Sequence, residues 1–272
     1  MSSTRTEAVS ADLQTIARAA LVTNGQPETD STATSIVERV AAQAGVELVE
    51  PEADADIVIS LGGDGTMLRA LRAKLGSGTP VFGFNFGRVG FLTSARGDQL
   101  EPVLPRVFAG DLNVVALCTL EAELPGDNQT AINDIVATSS RPGRMIELGW
   151  EIGGETLADQ PCDGIICSTP SGSTAYNLSN GGPVMMWGLD AMAITFVAPH
   201  SLHARPIVVP PGQSLRISNL TKDGSVSVLA DGRGCAELAT GETLEVALGP
   251  EKSLLAHLPE VSFFTRYHDV FP

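Results

Sequence analysis

Ile57-Val58-Ile59-Ser60-Leu61-Gly62-Gly63-Asp64-Gly65-Thr66-Met67-Leu68-Arg69-Ala70-Leu71-Arg72 is the segment around which the rest of the chain is organised. The β-branched run ahead of the glycines predicts a buried strand, and Met67, Leu68, Leu71 and Leu75 fall on one face of a following helix. A glycine turn therefore joins a strand to a helix start. Glycines there allow a positive φ and let a ligand approach without meeting a Cβ, while the first helical N–H groups point outward at it. The result is a phosphate-sized site holding one carboxylate, Asp64. Read as structure alone, the same residues form a tight turn in which Thr66 caps the helix and Asp64 is a turn former. Neither the dinucleotide fingerprint nor the P-loop pattern is matched.

Composition narrows the partners. The chain has 272 residues, 43% of them hydrophobic, which suits two domains with substantial cores. Its 17 Lys and Arg face 32 Asp and Glu, a net charge of −15 that argues against a nucleic-acid partner. With lysine only at positions 74, 222 and 252, phosphates must be held by backbone N–H groups, a metal ion and individually placed arginines. No apolar run approaches the roughly 18 residues of a membrane span, and the first residues lack a signal-like pattern, so a cytoplasmic protein is expected. Cys118, Cys162, Cys167 and Cys235 form no C-x-x-C pair and read as reduced thiols. His200 and His203 lie three apart without a further ligand cluster, which does not match a zinc pattern.

Outward from the central stretch, Ala20 to Thr23 predicts a first strand, and Ile36, Val37, Val40, Ala41 and Ala44 keep helical spacing from Ser31 to the stop at Gly45. Val46 to Val49 and Pro80 to Phe84 predict further strands, and Leu100 to Phe108 a helix bent at Pro105. Strand and helix patterns alternating in this way imply a parallel sheet covered by helices, with ligands at the carboxyl ends of its strands. Asp64 falls at one such end. Asn85-Phe86-Gly87-Arg88-Val89-Gly90-Phe91-Leu92-Thr93 falls at another, as either a loop with core aromatics or a second part of the site.

Past residue 113 the texture changes. Short alternating segments over 114–120, 132–138, 145–152, 164–168, 193–197, 214–217, 225–230 and 243–248 predict a mainly β second domain, a sandwich or similar. The expected organisation is an α/β domain over 1–112, a mainly β domain over 113–250, and a final segment, 251–272, packing back on the first. One segment departs from the strand texture: Ser168-Thr169-Pro170-Ser171-Gly172-Ser173-Thr174 carries five hydroxyls in seven residues and runs into Ala175-Tyr176. Hydroxyls and N–H groups at a helix start suit phosphate and ribose oxygens, and Tyr176 offers a flat face for a base.

With both segments in view the chain resembles the NAD kinases, which phosphorylate the 2′-hydroxyl of the adenosine ribose of NAD. The resemblance rests on Gly62-Gly63-Asp64-Gly65-Thr66, on Asn85-x-Gly87-x-x-Gly90-Phe91-Leu92-Thr93 and on Asn133-Asp134. It rests further on Asp163-Gly164 with Ser168 to Tyr176, and on Pro199-His200-Ser201-Leu202 with Arg205-Pro206. These motifs span roughly residues 20 to 235. The first is shared with lipid kinases and 6-phosphofructokinases; the Ser168 to Tyr176 motif is close to diagnostic. What the resemblance implies is an α/β N-terminal domain with a parallel sheet plus a mainly β C-terminal domain, with Asp64 as general base. It implies that Gly65 lets NAD approach, that Asn133 and Asp134 hold adenine or ribose, and that Asp163 bonds the nicotinamide side. Thr174, Ala175, Tyr176, Asn177, Leu178 and Ser179 would line the NAD cleft, and Arg69 and Arg144 would contact ligand. Gly63, Thr66, Asn85, Phe86, Ala198 and Arg233 are further expected contacts.

The same resemblance implies NAD and ATP or polyphosphate as substrates, Mg²⁺ or another divalent metal on the donor, and a homodimer or homotetramer in which one subunit completes another's site. Three positions depart from the family pattern: Ser171 stands where threonine is usual, Arg233 where glutamine is frequent, and Pro161 precedes Cys162-Asp163 at a variable position. Preference between NAD and NADH is open on those grounds. A lipid or other small-alcohol kinase sharing the glycine-aspartate turn, and a non-catalytic NAD(P)-binding regulator, remain the alternatives.

Overall fold

The computed structural model describes residues 16–25, 27–87, 90–124, 128–201 and 203–271. Arg88, Val89 and Leu202 of the quoted motifs, and the first fifteen residues, lie outside them. The chain divides into two compact units, one formed by 1–116 with 253–272 and the other by 117–252.

In the first unit the strands are β1 (Arg18–Thr23), β2 (Glu47–Val49), β3 (Ile57–Gly62), β4 (Val81–Asn85), β5 (Ala95–Arg96) and β6 (Asn113–Leu117). Helices α1 (Pro27–Ala44), α2 (Asp64–Ala73) and α3 (Leu100–Phe108) lie between them. The sheet order is β2-β1-β3-β4-β19-β6, where β19 (Ser253–His257) comes from the end of the chain and runs parallel to β4. Every residue of β3 is buried, as expected of a central parallel strand covered on both faces. Ile57, Ile59 and Leu61 pack with Val37, Val40 and Ala41 of α1 and with Leu100, Leu104 and Val107 of α3. Met67 of α2 packs so closely over Gly83 that a Cβ there would lie 2.4 Å from its sulfur. The last helix, α5 (Phe263–Val270), starts at Ser262, whose Oγ accepts the Thr265 N–H at 3.1 Å.

The second unit is a sandwich of two antiparallel sheets. Its strands are β7 (Leu120–Glu123), β8 (Gln129–Ala131), β9 (Asp134–Ser139), β10 (Ile146–Ile152), β11 (Glu155–Cys162), β12 (Gly164–Ser168), β13 (Met192–Val197), β14 (Ile207–Val209), β15 (Leu215–Asn219), β16 (Val226–Ala230), β17 (Arg233–Leu238) and β18 (Thr243–Leu248). One sheet runs β11-β10-β15-β18-β7-β8 and the other β14-β13-β12-β9-β16-β17. Their inward residues, among them Leu148, Ile217 and Val246 from one and Ile135, Ile165 and Val228 from the other, form a single core. The short helix α4 (Tyr176–Ser179) follows β12. All four cysteines are free thiols.

Several details differ from the sequence reading. The strand expected over 114–120 is two strands, and β6, the first of them, lies beside β19 in the α/β sheet. Helix α1 begins at Pro27, four residues ahead of Ser31, while α2 ends at Ala73, so Leu75 lies beyond it. Helix α3 continues through Pro105. The glycines of the central turn are not there for a positive φ, since Gly62, Gly63 and Gly65 all avoid that region. A Cβ on Gly62 would lie 2.2 Å from Thr66 Oγ1, whereas Gly63 and Gly65 have nothing within 4 Å. The fold therefore needs the first glycine and leaves the other two unexplained.

Gly172 gives a direct contrast, because a Cβ there would lie 2.1 Å from the Asn133 carbonyl oxygen. Gly172→Ala should lower stability by roughly 2 kcal/mol or more, through forced backbone movement. Gly65→Ala, in open space inside a helix, should raise it by about 0.5–1 kcal/mol. Urea denaturation of the two variants checks this, and equal effects would contradict it.

Candidate active site

The carboxyl edge of the parallel sheet carries the first cluster. Gly62 ends β3 opposite Asn85 at the end of β4, and the Phe86 N–H donates to the Gly62 carbonyl at 3.1 Å. Gly63 is the N-cap of α2 and makes no side-chain cap, and Thr66 is buried in the first turn rather than capping it. Asp64 is the first helical residue, a favourable place for a negative charge.

Its carboxylate is held from the opposite side by the loop after β4. Oδ2 accepts the Phe91 N–H at 2.9 Å and Oδ1 the Leu92 N–H at 3.1 Å. A Cβ on Gly90 would lie 2.2 Å from Oδ1, so only glycine lets the loop pass this close. Asn85 fixes the same loop, its Oδ1 accepting the Gly87 N–H at 2.7 Å and its Nδ2 donating to Thr93 Oγ1 at 3.2 Å. Phe91 is clamped by Phe263 and Phe271 at ring separations of 6.0 and 5.7 Å. Burial raises the Asp64 pKa above the ordinary carboxylate range, and the two N–H bonds and the Arg266 charge oppose that rise. A fixed carboxylate with a raised pKa is a better proton acceptor than an exposed one. Arg69 does not turn toward it: its guanidinium donates to the Thr23 carbonyl at the end of β1.

The second unit carries the other cluster, around the hydroxyl-rich loop. Its hydroxyls were expected to suit ligand oxygens, and in the structure they make hydrogen bonds within the loop and to its neighbours. Thr169 Oγ1 donates to the Ile132 carbonyl at 2.6 Å and accepts the Gly172 N–H at 3.0 Å. Ser171 Oγ donates to Asn133 Oδ1 at 3.0 Å, Ser173 Oγ to the Pro170 carbonyl at 2.7 Å, and Thr174 Oγ1 to the Ser171 carbonyl at 3.3 Å. Ser168, Thr169, Ser171 and Ser173 are buried, as buried hydroxyls with partners should be. Asn177 is also internal, donating to the Ser173 and Pro183 carbonyls and accepting from Thr195 Oγ1 at 2.7 Å. What this scaffold presents outward is Tyr176, 46% exposed, with Ser179 beside it.

Asn133 and Asp134 adjoin that loop. Asp231, at a positive φ of 48°, accepts the Asn133 N–H at 2.7 Å and the Ile132 N–H at 3.1 Å. Asp134 is buried, and burial together with the nearby Asp231 charge pushes its carboxyl up to about 7. It can therefore be proton donor or acceptor near neutrality. Asp231 was missed as an anchor in the sequence, although Asp231-Gly232 is a hairpin dipeptide that signals the turn between β16 and β17.

The register sorts the remaining predicted residues. Ser168 pairs with Asp134 at one end of β12, and Gly164 with Thr138 and Val197 at the other. Asn133, Asp134, Thr174, Ala175, Tyr176, Asn177, Leu178 and Ser179 thus gather at the first end, with Arg233, which pairs with Ala230 there. Asp163 and Ala198 lie at the far end, on the order of 15 Å away along a five-residue strand. Arg144 lines a cavity of about 370 Å³ with Ser139, Arg141 and Lys222, also at that end. The structure does not bring these three to Tyr176 within one chain.

A carboxylate fixed at a glycine turn of an α/β sheet, in one chain with an antiparallel sandwich, fits a phosphotransferase. Residues 14–112 match the family model described as the ATP-NAD kinase N-terminal domain, and 132–258 match the ATP-NAD kinase C-terminal domain. The chain belongs to the NAD kinase family. An NAD kinase of Heliobacterium modesticaldum is 37% identical over 214 residues, 77% of this chain and 76% of its own. One of Pseudomonas entomophila is 41% identical over 209 residues, 74% and 70% of the two chains. The crystal structure of an Archaeoglobus fulgidus NAD kinase in complex with ATP matches with a TM-score of 0.78 at 26% identity, covering 93% of this chain and 98% of that one. A yeast NADH kinase complexed with NADH shares the fold, with a TM-score of 0.80 at 21% identity over 94% and 87%.

The raised Asp134 pKa sets a pH dependence. Its neutral form is favoured in the folded state, so the stability it contributes is present below about pH 4 and is lost as pH rises through about 7. Asp134→Asn should flatten the fall in Tm between pH 5 and 8 and melt roughly 3 °C or more above the parent at pH 8. Parallel pH slopes for the two proteins would contradict this.

Proposed function

We propose that the chain converts NAD to NADP with Asp64 as general base, the donor being metal-bound ATP or polyphosphate. The observation that carries this reading is the Asp64 carboxylate, half-buried, raised in pKa and pinned by the Phe91 and Leu92 N–H groups. Open space beside Gly63 and Gly65 supports it, because no packing in the fold asks for glycine there. In the step, the 2′-oxygen of the adenosine ribose bonds to the donor's terminal phosphorus and the bond from that phosphorus to its bridging oxygen breaks. The leaving polyphosphate or nucleoside diphosphate keeps the electron pair, and the 2′-hydroxyl proton passes to Asp64. A loose transition state asks little of the base, so positioning supplies most of the acceleration.

Divalent metal enters as part of the donor, where it neutralises phosphate charge. Among the described residues no group of three or more His, Cys, Asp or Glu is arranged to hold an ion. Dinucleotide binding falls to the second unit, with Tyr176 presenting its face to the base and Asn133 and Asp134 reading adenine or ribose. Asp163, Arg144 and Ala198, gathered at the far end of β12, fit a homo-oligomer in which each chain lends that end to a neighbour's dinucleotide. No helix of the described residues is long and apolar enough to cross a membrane.

A coupled assay crossing NAD and NADH against ATP and polyphosphate tests the reading, and phosphorylation of a lipid without NADP formation would replace it. Asp64→Ala should still show the NAD-dependent rise in Tm of the parent, while NADP synthesis falls by about 10²–10⁴-fold. Near-normal turnover of that variant would remove Asp64 from the step.

A further inference from the structure

Arg266 is the buried cation that neither the motifs nor the step just described uses. It sits in α5, 9% exposed, and its Nε–H has no acceptor among the described residues. A buried, charged donor left without an acceptor is costly, and such a group calls for an explanation. The same side chain lines a cavity of about 440 Å³, together with Asn85, Gly87, Arg96, Gly97 and Asp98. Asn85 and Gly87 belong to the loop that carries the N–H groups on Asp64. The cavity therefore borders the segment whose N–H groups hold the carboxylate, and Arg266 in its wall is near enough to Asp64 for the two charges to interact.

We propose that Arg266, with Arg96, forms the subsite for the donor's phosphates, taking a phosphate oxygen on the unpartnered Nε–H. This deepens the kinase reading above and rests on it. The chemistry favours arginine here, since a planar guanidinium matches a phosphate and stays charged even when burial lowers its pKa, as it does for Arg266. Arg96 is available as a second cation. It pairs with Asp98 at 3.3 Å, both side chains are about two-thirds exposed, and such a surface pair is weak. Asp64 and Asp269 act electrostatically on Arg266, and neither relieves the Nε–H. The volume is within the range of small-molecule sites and takes a short chain of phosphates. The place also matches the need, because an acidic protein must bring positive charge to the transferred group from a few fixed arginines.

The test uses the full chain and separates donor from acceptor. Arg266→Gln should raise the KM for the donor by about tenfold or more with the KM for NAD within about twofold, and Arg266→Lys should recover part of the loss. Arg96→Gln, at an exposed position that folding does not require, should raise donor KM several-fold. Equal changes in both KM values, or a loss of kcat with donor KM unchanged, would make Arg266 a packing residue and overturn the subsite. Should Arg266→Gln fail to fold, an unchanged donor KM in Arg96→Gln overturns it instead. Tripolyphosphate binding, read as a Tm rise in the parent that is lost in either variant, tests the subsite even if the parent makes no NADP, so the two readings fail separately.

Discussion

The constraint on which the first unit depends is that one carboxylate must be partly withdrawn from water and still be ready to accept a proton. Two backbone N–H groups, from Phe91 and Leu92, resolve it: they stabilise the charge enough to keep Asp64 ionisable, while burial keeps its pKa above that of an exposed aspartate. The bonds exist only because Gly90 lets the loop come within contact of the carboxylate and because Phe91 is clamped by two rings from the end of the chain. That is a physical reason for the last residues to return to the first unit. They pack on the loop that holds Asp64, and they bring Arg266 to the wall of the cavity beside that loop.

In the second unit the polar groups work mainly on one another. The hydroxyls of Ser168 to Thr174 satisfy carbonyls and amides of their own loop and of Ile132 and Asn133, which makes a bend rich in backbone polar groups affordable in a buried place. Gly172 is required by the same closeness, since its α-carbon lies against the Asn133 carbonyl. A rigid loop of this kind can present Tyr176 and the Asn133-Asp134 pair at low entropic cost on binding.

The alternating strand and helix patterns made the α/β sheet legible, and clean period-two segments such as Val226, Val228 and Ala230 made the sandwich legible. Strands β11 and β17 were not, because β11 is mostly exposed along its length and neither alternates; their signals were the turn residues Gly153-Gly154 and Asp231-Gly232, all at positive φ. Asp64 could be found from its neighbours in sequence. Its partners Phe91 and Leu92 could be placed near it only through strand order, and Arg266 not at all, since it comes from the opposite end of the chain. The internal acceptors of the hydroxyl loop were hidden for a related reason: composition shows which donors are present, and only the fold shows where they bond. The separation of Asp163, Arg144 and Ala198 from Tyr176 likewise follows from strand register, which a list of motifs does not carry.

The most direct measurement is a crystal structure of the protein with NAD and a non-transferable donor analogue, read for the position of the adenosine ribose. The expected result is a 2′-oxygen within hydrogen-bond reach of an Asp64 carboxylate oxygen, about 2.6–3.2 Å, with the Phe91 and Leu92 N–H bonds intact. A ribose bound in another crevice, with Asp64 facing only solvent, would contradict the assignment of this carboxylate as the base.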